Sequence, residues 1–361
     1  MSEPSPESED GVQKPLEDTR VSQRERFHAR EAAKVLSHWD LGVITELREY
    51  RHGSRRSPKL RIRSEAGAFL LKRKAAGHRE DRAQCCHDLQ NQAERGGVPV
   101  ASLVPRRNGR TLLASDGRMY ECFRWVPGTR YARSPGQARN AGIALARLHG
   151  AFAGREAPPE LPAGGFSDIE TVRAQLMRAL DRVRGQGASG VDEVAGRLCA
   201  VLDKAESKLV ARGLPLEPAE ICHGDYHSGN TLWTEDTLAA VIDFDSARLE
   251  AHVAEVANGA LHFSMRPRRS DAPDSWVHAL DPDCLRAFMQ GYFAFPPIDA
   301  GRVAPMIPWL MQSAVVAETA APIARDGDFA GIAPMSILRY AAEVCDWIGA
   351  RSRAISETAG A

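Results

Sequence analysis

The sequence has no excess of charge of either sign and no apolar run long enough to cross a membrane. Its 361 residues contain 47 Lys and Arg against 47 Asp and Glu, so binding to nucleic acid through bulk positive charge is not expected. The longest apolar stretch, 306–324, is interrupted by Pro308, Glu318 and Pro322, which indicates buried helix rather than a membrane span. We therefore expect neither a nucleic acid nor a membrane as a partner.

Paired cysteines of the kind found in disulfide frameworks and zinc sites are also missing. The seven cysteines include no CxxC pair, and their odd number fits reduced thiols. The first segment, MSEPSPESEDGVQKPLEDTR, lacks the basic start and apolar stretch of a secretory signal. Together with 43% hydrophobic and 26% charged residues, these features predict a soluble globular protein of the cytoplasm.

The first half of the chain has the pattern of a tail followed by a small lobe rich in strands. Residues 1–22 are rich in Pro, Ser, Glu and Asp and poor in apolar groups, so we expect a disordered tail. A lobe is predicted over 23–125, with one helix that begins near Gln23 and another over 78–95. Its strands, the first three of which form an antiparallel meander, are predicted at 42–50, 60–64, 68–74, 111–114 and 119–125.

From residue 126 to residue 361 the pattern becomes mainly helical. Capping sequences at Ser134 and at Ser167 open two helices, because each places a side-chain acceptor before the first turn. Apolar stripes at helical spacing predict further helices over 194–209, 281–294, 302–324 and 335–352. The sequence thus predicts an α+β fold of two lobes. After the helix near Gln23, the first lobe has an antiparallel sheet and one helix, and the second lobe is mainly helical.

The segment ICHGDYHSGNTLWTEDTLAAVIDFDSAR, residues 221–248, gathers polar side chains around a predicted hairpin. Strand patterns at 231–234 and 238–242 flank a tight turn, which predicts that Asn230 faces Asp243 across the pair. Asp225 lies in the loop before the first strand. Two acids and an amide form an oxygen-rich cluster that suits Mg²⁺ beside phosphate oxygens. The arrangement indicates phosphoryl transfer.

The motif HGDYHSGN at 223–230, followed by IDFD at 242–245, resembles the catalytic signature of aminoglycoside-phosphotransferase-like kinases. Choline kinases, type II homoserine kinases and spore-coat kinases are relatives within the protein-kinase-like superfamily. The resemblance covers about residues 40–350, since the strand-rich lobe, the hinge and the helical lobe follow the family order. It implies a two-lobed protein-kinase-like fold that uses Mg²⁺ to transfer the γ-phosphoryl group of ATP, or alternatively GTP, to a hydroxyl of a small molecule.

The resemblance also implies roles for individual residues of the catalytic segment. Asp225 corresponds to the catalytic aspartate that accepts or orients the acceptor hydroxyl. Asn230 and Asp243 match the metal ligands. Asp245 either assists a second metal or satisfies a backbone amide, while His223 bonds the loop backbone.

Other residues match the nucleotide site of the family. Lys72, in FLLKRK, corresponds to the third-strand lysine that holds the α- and β-phosphates. Residues 124–126 match the hinge, where the backbone of Arg124 and Val126 would meet the adenine edge. Ser54 lies in the loop between the first two strands, where an amide or hydroxyl can touch phosphate.

Two features depart from the family pattern. The first loop, RHGSRRSP, lacks the GxGxxG sequence, and the helix after Lys72 has Gln84, Cys85 and Cys86 where a glutamate is expected. Glu80 comes early for that role and Asp88 late, so the partner of Lys72 stays open. The missing glutamate motivates an alternative, a nucleotide-binding pseudokinase with a regulatory or scaffolding role. Homoserine-like, sugar and polyol acceptors all remain open, as does the oligomeric state.

Overall fold

The structure is a computed structural model that describes residues 24–266, 273, 276–295, 298–329 and 331–361. The predicted disordered tail, residues 1–22, lies outside this part of the chain. Two bodies of secondary structure follow each other: strands with two helices up to residue 124, then mainly helices. The predicted α+β fold of two lobes is confirmed, and the boundary placed after residue 125 stays a prediction.

The first lobe is a five-stranded antiparallel sheet in the order β1-β2-β3-β5-β4. The turn between β4 and β5 uses Asp116 and Gly117, both with positive φ, as the hairpin prediction requires. The first helix begins at residue 29 rather than near Gln23, because His28 and Glu31 cap it there. The elements are α1 (Ala29–Leu36), β1 (Ile44–Tyr50), β2 (Lys59–Ser64), β3 (Gly67–Arg73), α2 (Glu80–Arg95), β4 (Leu112–Ser115) and β5 (Arg118–Arg124).

The second lobe surrounds two short antiparallel pairs, β6 with β9 and β7 with β8. Its elements are α3 (Pro135–Phe152), α4 (Ile169–Gly185), α5 (Val191–Val210), β6 (Glu220–Cys222), β7 (Thr231–Thr234), β8 (Thr237–Val241), β9 (Arg248–Glu250), α6 (His252–Ser264), α7 (Pro282–Phe293), α8 (Ala300–Val303), α9 (Ile307–Asp326), α10 (Pro334–Ala350) and α11 (Ser352–Gly360). The sequence did not predict α6, because 11 of its 13 residues are buried and leave no polar face.

Each lobe has its own hydrophobic core, and α2 packs on the core of the second lobe. Cys86, Leu89 and Ala93 of α2 belong to the large apolar cluster of the helical lobe, although α2 connects two strands of the first lobe. The chain after α2 also joins the second lobe, where the Val241 amide donates to the Pro99 carbonyl. Helix α2 therefore lies between the lobes, and its remaining side chains can reach the space between them.

All seven cysteines are free thiols, as predicted. Among the described residues no helix combines the length and the hydropathy needed to span a membrane.

Candidate active site

A cleft of about 670 Å³ lies between the sheet and the helical lobe. Its walls include six of the seven predicted site residues, drawn from the first loop, β3, the hinge and the catalytic segment: Ser54, Lys72, Arg124, Val126, Asn230 and Asp243. The seventh, Asp225, stands beside the cleft and contacts Asn230. The fold thus brings together residues that are 171 positions apart, as Lys72 and Asp243 are.

A buried carboxylate hydrogen-bonds the backbone of the catalytic segment. Glu255 of α6 accepts hydrogen bonds from the amides of His223 and Gly224, at 3.1 and 2.6 Å, and from His149 Nε2 at 2.9 Å. Burial would raise the pKa of Glu255, but the His149 bond and the loop amides outweigh it and lower the pKa to about 2. Gly224 is required here, since it has φ +81° and a Cβ would lie 2.0 Å from the Ser246 carbonyl oxygen.

His223 bonds the backbone of the same segment, as the sequence indicated. Its Nε2 lies 3.2 Å from the Ile242 carbonyl, and its Nδ1 accepts from the Asp225 amide at 3.3 Å. Burial lowers the pKa of His223, which favours the neutral ring that can accept from an amide. The imidazole thus fixes the backbone of Asp225 relative to the end of β8.

Asp225 and Asn230 are joined directly. Asn230 Nδ2 donates to the Asp225 carbonyl at 3.0 Å and to its Oδ2 at 2.8 Å, while His227 Nε2 lies 3.4 Å from Oδ1. Burial would raise the pKa of Asp225, but the contact with His227 and the bond from Asn230 outweigh it, so the pKa is lowered. The carboxylate is therefore ionised at neutral pH, and Asn230 keeps its Oδ1 atom for another partner.

The prediction that Asn230 faces Asp243 across the hairpin is wrong by one residue. Thr231 pairs with Val241, and the Ile242 amide donates to the Asn230 carbonyl at 3.0 Å, so Ile242 stands opposite Asn230. A β-bulge in the hairpin sets this register. Asp243 follows the strand with φ +68°, a left-handed conformation, and still lines the same cleft as Asn230.

Lys72 is surrounded by carboxylates. Its Nζ lies 3.0 Å from Asp243 Oδ1, 2.9 Å from Asp245 Oδ2 and 3.2 Å from Glu121 Oε1. Burial would lower the pKa of Lys72, but Asp243, Glu121 and Asp245 outweigh it and raise the pKa well above its usual value. Asp245 also accepts from Lys74, and these lysines lower its pKa to about 2 against the effect of burial. Asp245 is thus paired with two ammonium groups.

No acid of helix α2 reaches Lys72. Gln84 bonds its own helix neighbour, with Nε2 donating to Asp88 Oδ1 at 3.0 Å. The nearest buried carboxylate is Glu121, which stands directly opposite Lys72 in the pairing of β5 with β3. Sequence reasoning missed Glu121 because its relation to Lys72 depends on a register between strands that are not consecutive.

At the hinge, some of the backbone amides already donate hydrogen bonds within the protein and are not free to bind a ligand. The Arg124 amide donates to the Ser102 carbonyl at 2.8 Å and the Trp125 amide to the Ala68 carbonyl at 2.9 Å. Within the described chain the Val126 amide has no such acceptor, so it is the hinge amide that could meet a ligand. Ser54 lines the cleft, and its hydroxyl accepts from the Arg56 amide of the same loop at 3.2 Å.

A second lysine of the cleft was also missed. Lys59 of β2 pairs with Lys72 across the sheet, and its Nζ donates to the carbonyls of His52 and Ser57 in the first loop, both at 3.3 Å. Burial, together with the positive charge of Lys72, lowers the pKa of Lys59 to about 8. The cationic side of the cleft therefore has two lysines side by side, which the sequence pattern of alternating strand residues could have indicated.

Next to the catalytic segment lies a histidine–glutamate pair that joins α6 to α9. His262 Nε2 lies 2.9 and 2.8 Å from the two carboxylate oxygens of Glu318, and the ring of His262 is 5.4 Å from that of His227. Burial would raise the pKa of Glu318, but His262 outweighs it and the pKa is lowered. An ionised carboxylate thus lies next to the catalytic segment. The sequence did not reveal this group because its members come from separate helices.

Comparisons with known proteins agree with this arrangement. The model of the phosphotransferase enzyme family, APH, matches residues 46–305. The homoserine kinase of Rhodopseudomonas palustris (strain BisB18) is 28% identical over 274 residues, which are 73% of this chain and 74% of that protein. A second homoserine kinase, from Bradyrhizobium diazoefficiens, is 25% identical over 268 residues, 73% of this chain and 75% of that protein.

Among solved structures, a microcompartment-associated aminopropanol kinase has a TM-score of 0.66 and 18% identity, over 91% of this chain and 99% of that one. An amicoumacin kinase in complex with AMP-PNP, Ca²⁺ and Ami has a TM-score of 0.64 and 13% identity, over 89% and 94%. These two likenesses concern the fold. Since the family model spans both lobes and every residue that lines the cleft, the chain belongs to the phosphotransferase enzyme family, APH, and is a small-molecule phosphotransferase that acts on hydroxyl groups.

Proposed function

We propose that this enzyme transfers the γ-phosphoryl group of ATP, with Mg²⁺, to the hydroxyl of a small amino alcohol. The observation that carries the proposal is the convergence of Lys72, Asn230 and Asp243 on one cleft, with Asp225 beside it. Such a set supplies a cation for phosphate, oxygen ligands for a metal and a carboxylate for the acceptor hydroxyl.

The donor atoms fit a magnesium ion. Asn230 uses its amide nitrogen on Asp225 and keeps Oδ1, while the Asp243 side chain is 44% exposed. Asn230 and Asp243 would hold Mg²⁺, a hard cation that prefers oxygen ligands. When bound, the ion supplies positive charge that offsets the charge of the phosphate oxygens. Lys72 and Lys59 add ammonium groups on the same side of the cleft.

Asp225 would receive the acceptor hydroxyl. Because its pKa is lowered, Asp225 is a weak base that first holds the hydroxyl by accepting its hydrogen bond. The hydroxyl oxygen then forms the bond to the γ-phosphorus, the bond from that phosphorus to the β–γ bridging oxygen breaks, and the hydroxyl proton passes to Asp225. Catalysis by these residues is chiefly positioning and charge stabilisation.

The pair of His262 and Glu318, which we call the acceptor wall, favours an ammonium group on the substrate. Glu318 places an ionised carboxylate close to Asp225 and His227, and a charged amine near the reacting hydroxyl would be attracted to both acids. Two relatives are named homoserine kinases and a structural neighbour an aminopropanol kinase, and homoserine and aminopropanol are both amino alcohols. These names support the amino alcohol class among the acceptors that the sequence left open.

The pseudokinase alternative rested on the missing helix glutamate. Glu121 beside Lys72 weakens that motive, because a buried carboxylate does accompany the lysine.

The test is ADP release with ATP and Mg²⁺ across pairs of acceptors that differ only in the amine, such as 1-amino-2-propanol against 1,2-propanediol, together with homoserine. We expect turnover on at least one amino alcohol and a much lower rate on its diol. Turnover on diols or sugars alone would contradict the amino alcohol class. If neither ATP nor GTP raises the melting temperature at a concentration about 100 times a typical dissociation constant, where about 2.7 kcal/mol is expected, the nucleotide proposal is wrong.

A further inference from the structure

Glu121 is a buried carboxylate held by three cationic or donor groups. Its side chain is 2% exposed, and it stands on β5 directly opposite Lys72 of β3. Oε1 lies 3.2 Å from Lys72 Nζ, while Oε2 lies 2.8 Å from Lys74 Nζ and 2.7 Å from His87 Nε2. Burial would raise the pKa of Glu121, but Lys74, Lys72 and the His87 bond outweigh it, so the carboxyl is ionised.

His87 links this carboxylate to helix α2. The imidazole is buried, and its second nitrogen, Nδ1, lies 2.8 Å from the Thr111 hydroxyl. The hydroxyl can donate to Nδ1, which leaves Nε2 as the donor to Glu121. A second side chain of α2, Arg82, donates to the carbonyls of Ala247 and Asp245, next to the predicted metal ligand. The helix therefore contacts both the carboxylate beside Lys72 and the loop of the metal site.

The three carboxylates around Lys72 differ in their exposure and in the other groups that they contact. Asp243 is the most exposed and is the predicted metal ligand, so a bound cation would compete with Lys72 for its oxygens. Asp245 is 22% exposed and shares its oxygens between Lys72 and Lys74. Glu121 also lines the cleft, but its side chain is only 2% exposed, and Lys74 and His87 contact its other oxygen. When Asp243 binds a metal, Glu121 and Asp245 remain beside Lys72, and Glu121 is the one that His87 also holds.

We propose that Glu121, oriented by His87 of α2, positions Lys72 for the nucleotide phosphates and takes the role that the family resemblance assigns to a glutamate of that helix. This inference rests on the proposed nucleotide site. Glu121 is a positioning residue, because it acts through Lys72. Helix α2 would then influence Lys72 through a histidine and a strand carboxylate rather than through an acid of its own.

The experiment compares the affinity for ATP with Mg²⁺ to the affinity for adenosine, which has no phosphate for Lys72 to hold. A general loss of folding lowers both affinities, whereas a misplaced Lys72 lowers only the first. The quantity compared is the ratio of the affinity for ATP with Mg²⁺ to the affinity for adenosine. Lys72→Met shows how far this ratio falls when the lysine is absent. Glu121→Gln tests the proposal, and Glu121→Gln/Lys74→Met repeats the test with one positive and one negative charge removed together, since an unpaired buried charge can prevent folding.

We expect Glu121→Gln and the charge-balanced double variant to lower the ratio of the two affinities about tenfold, within the range of coupling energies between residues of one ion-pair network. Glu121→Asp should restore part of it, because it retains the carboxylate. In the Lys72→Met background, Glu121→Gln should change the ratio by less than about twofold, since coupled residues are not additive. An unchanged ratio in the double variant, or an equal loss with and without Lys72, overturns the inference. If the parent protein binds neither ATP nor adenosine, the proposed function fails first and this inference with it.

Discussion

Asn230 donates a hydrogen bond from Nδ2 to the carboxylate of Asp225 at 2.8 Å and a second one to the Asp225 carbonyl at 3.0 Å. One predicted metal ligand thus orients the predicted catalytic aspartate. The carboxylate is turned so that Oδ2 meets the amide and Oδ1 meets His227. An acceptor hydroxyl that reaches Asp225 would therefore meet a carboxylate whose direction is already set.

Asp225→Asn should suppress phosphoryl transfer while leaving the affinity for ATP with Mg²⁺ within a few-fold of the parent. An amide cannot take the hydroxyl proton, and contributions of general bases are about 10²- to 10⁴-fold in rate. The rate on an identified acceptor, the ATP affinity and the melting temperature must be measured together, since a collapsed fold would also be inactive. Turnover close to that of the parent would show that Asp225 is not the catalytic aspartate.

Asp243→Asn should remove most of the enhancement that Mg²⁺ gives to nucleotide binding. The amide oxygen has no formal charge for the cation, and the change also takes a carboxylate from Lys72. Calorimetric titrations of both proteins with ADP, with and without Mg²⁺, measure the difference. Metal-free binding should persist. Equal enhancement by Mg²⁺ in parent and variant would remove Asp243 from the metal site.

Binding of ATP near pH 8 should take up protons through Lys59. The folded pKa of Lys59 is about 8, below its usual 10.5, so its burial destabilises the fold fully below pH 8 and less as the pH rises toward 10.5. A phosphate beside the amine would raise this pKa, with uptake of about half a proton at pH 8. Titrations in two buffers of different ionisation enthalpy measure the uptake. Lys59→Met should lower it, and an identical uptake in this variant would contradict a phosphate contact.

Glu255→Gln should destabilise the protein by about 3 kcal/mol at pH 7, because it leaves buried donors around a neutral side chain. The folded pKa is about 2 against an ordinary 4.5, so the contribution of Glu255 is present above pH 4.5 and is lost as the pH falls toward 2. Urea unfolding at pH 7 and at pH 3 should thus show a smaller gap between parent and variant at the lower pH. A gap of the same size at both would assign the loss to packing rather than to charge.

The sequence was sufficient for features that depend on neighbours along the chain. The meander, the turn at Asp116 and Gly117 and the spacing from Asp225 to Asp243 are local patterns, and the structure contains each of them. The contact of Glu121 with Lys72 could not be predicted, because β5 pairs with β3 although α2 and β4 lie between them in the chain. A register error of one residue would also turn the Glu121 side chain to the other face of the sheet. Helix α6 was missed because burial on all sides removes the amphipathic period.

The acceptor wall offers the sharpest test of substrate class, because the chain contains a comparable histidine–glutamate pair, that of His278 and Glu343. Glu318 contacts His262 next to the catalytic segment, whereas Glu343 lies 3.0 Å from His278 on another part of the helical lobe. Glu318→Gln removes the charge that would hold the substrate ammonium, and Glu343→Gln makes the same chemical change on α10.

We expect Glu318→Gln to raise the KM for an amino alcohol about tenfold with a smaller change in kcat, since a charge-assisted contact made equally in ground and transition states acts on binding. The KM of any diol that is turned over should stay within about twofold, because a diol has no ammonium to lose. Glu343→Gln should leave both values near those of the parent. If Glu318→Gln and Glu343→Gln have the same effect, or if the diol is affected as much as the amino alcohol, the carboxylate of Glu318 does not recognise the amine, and the acceptor class must be sought without it.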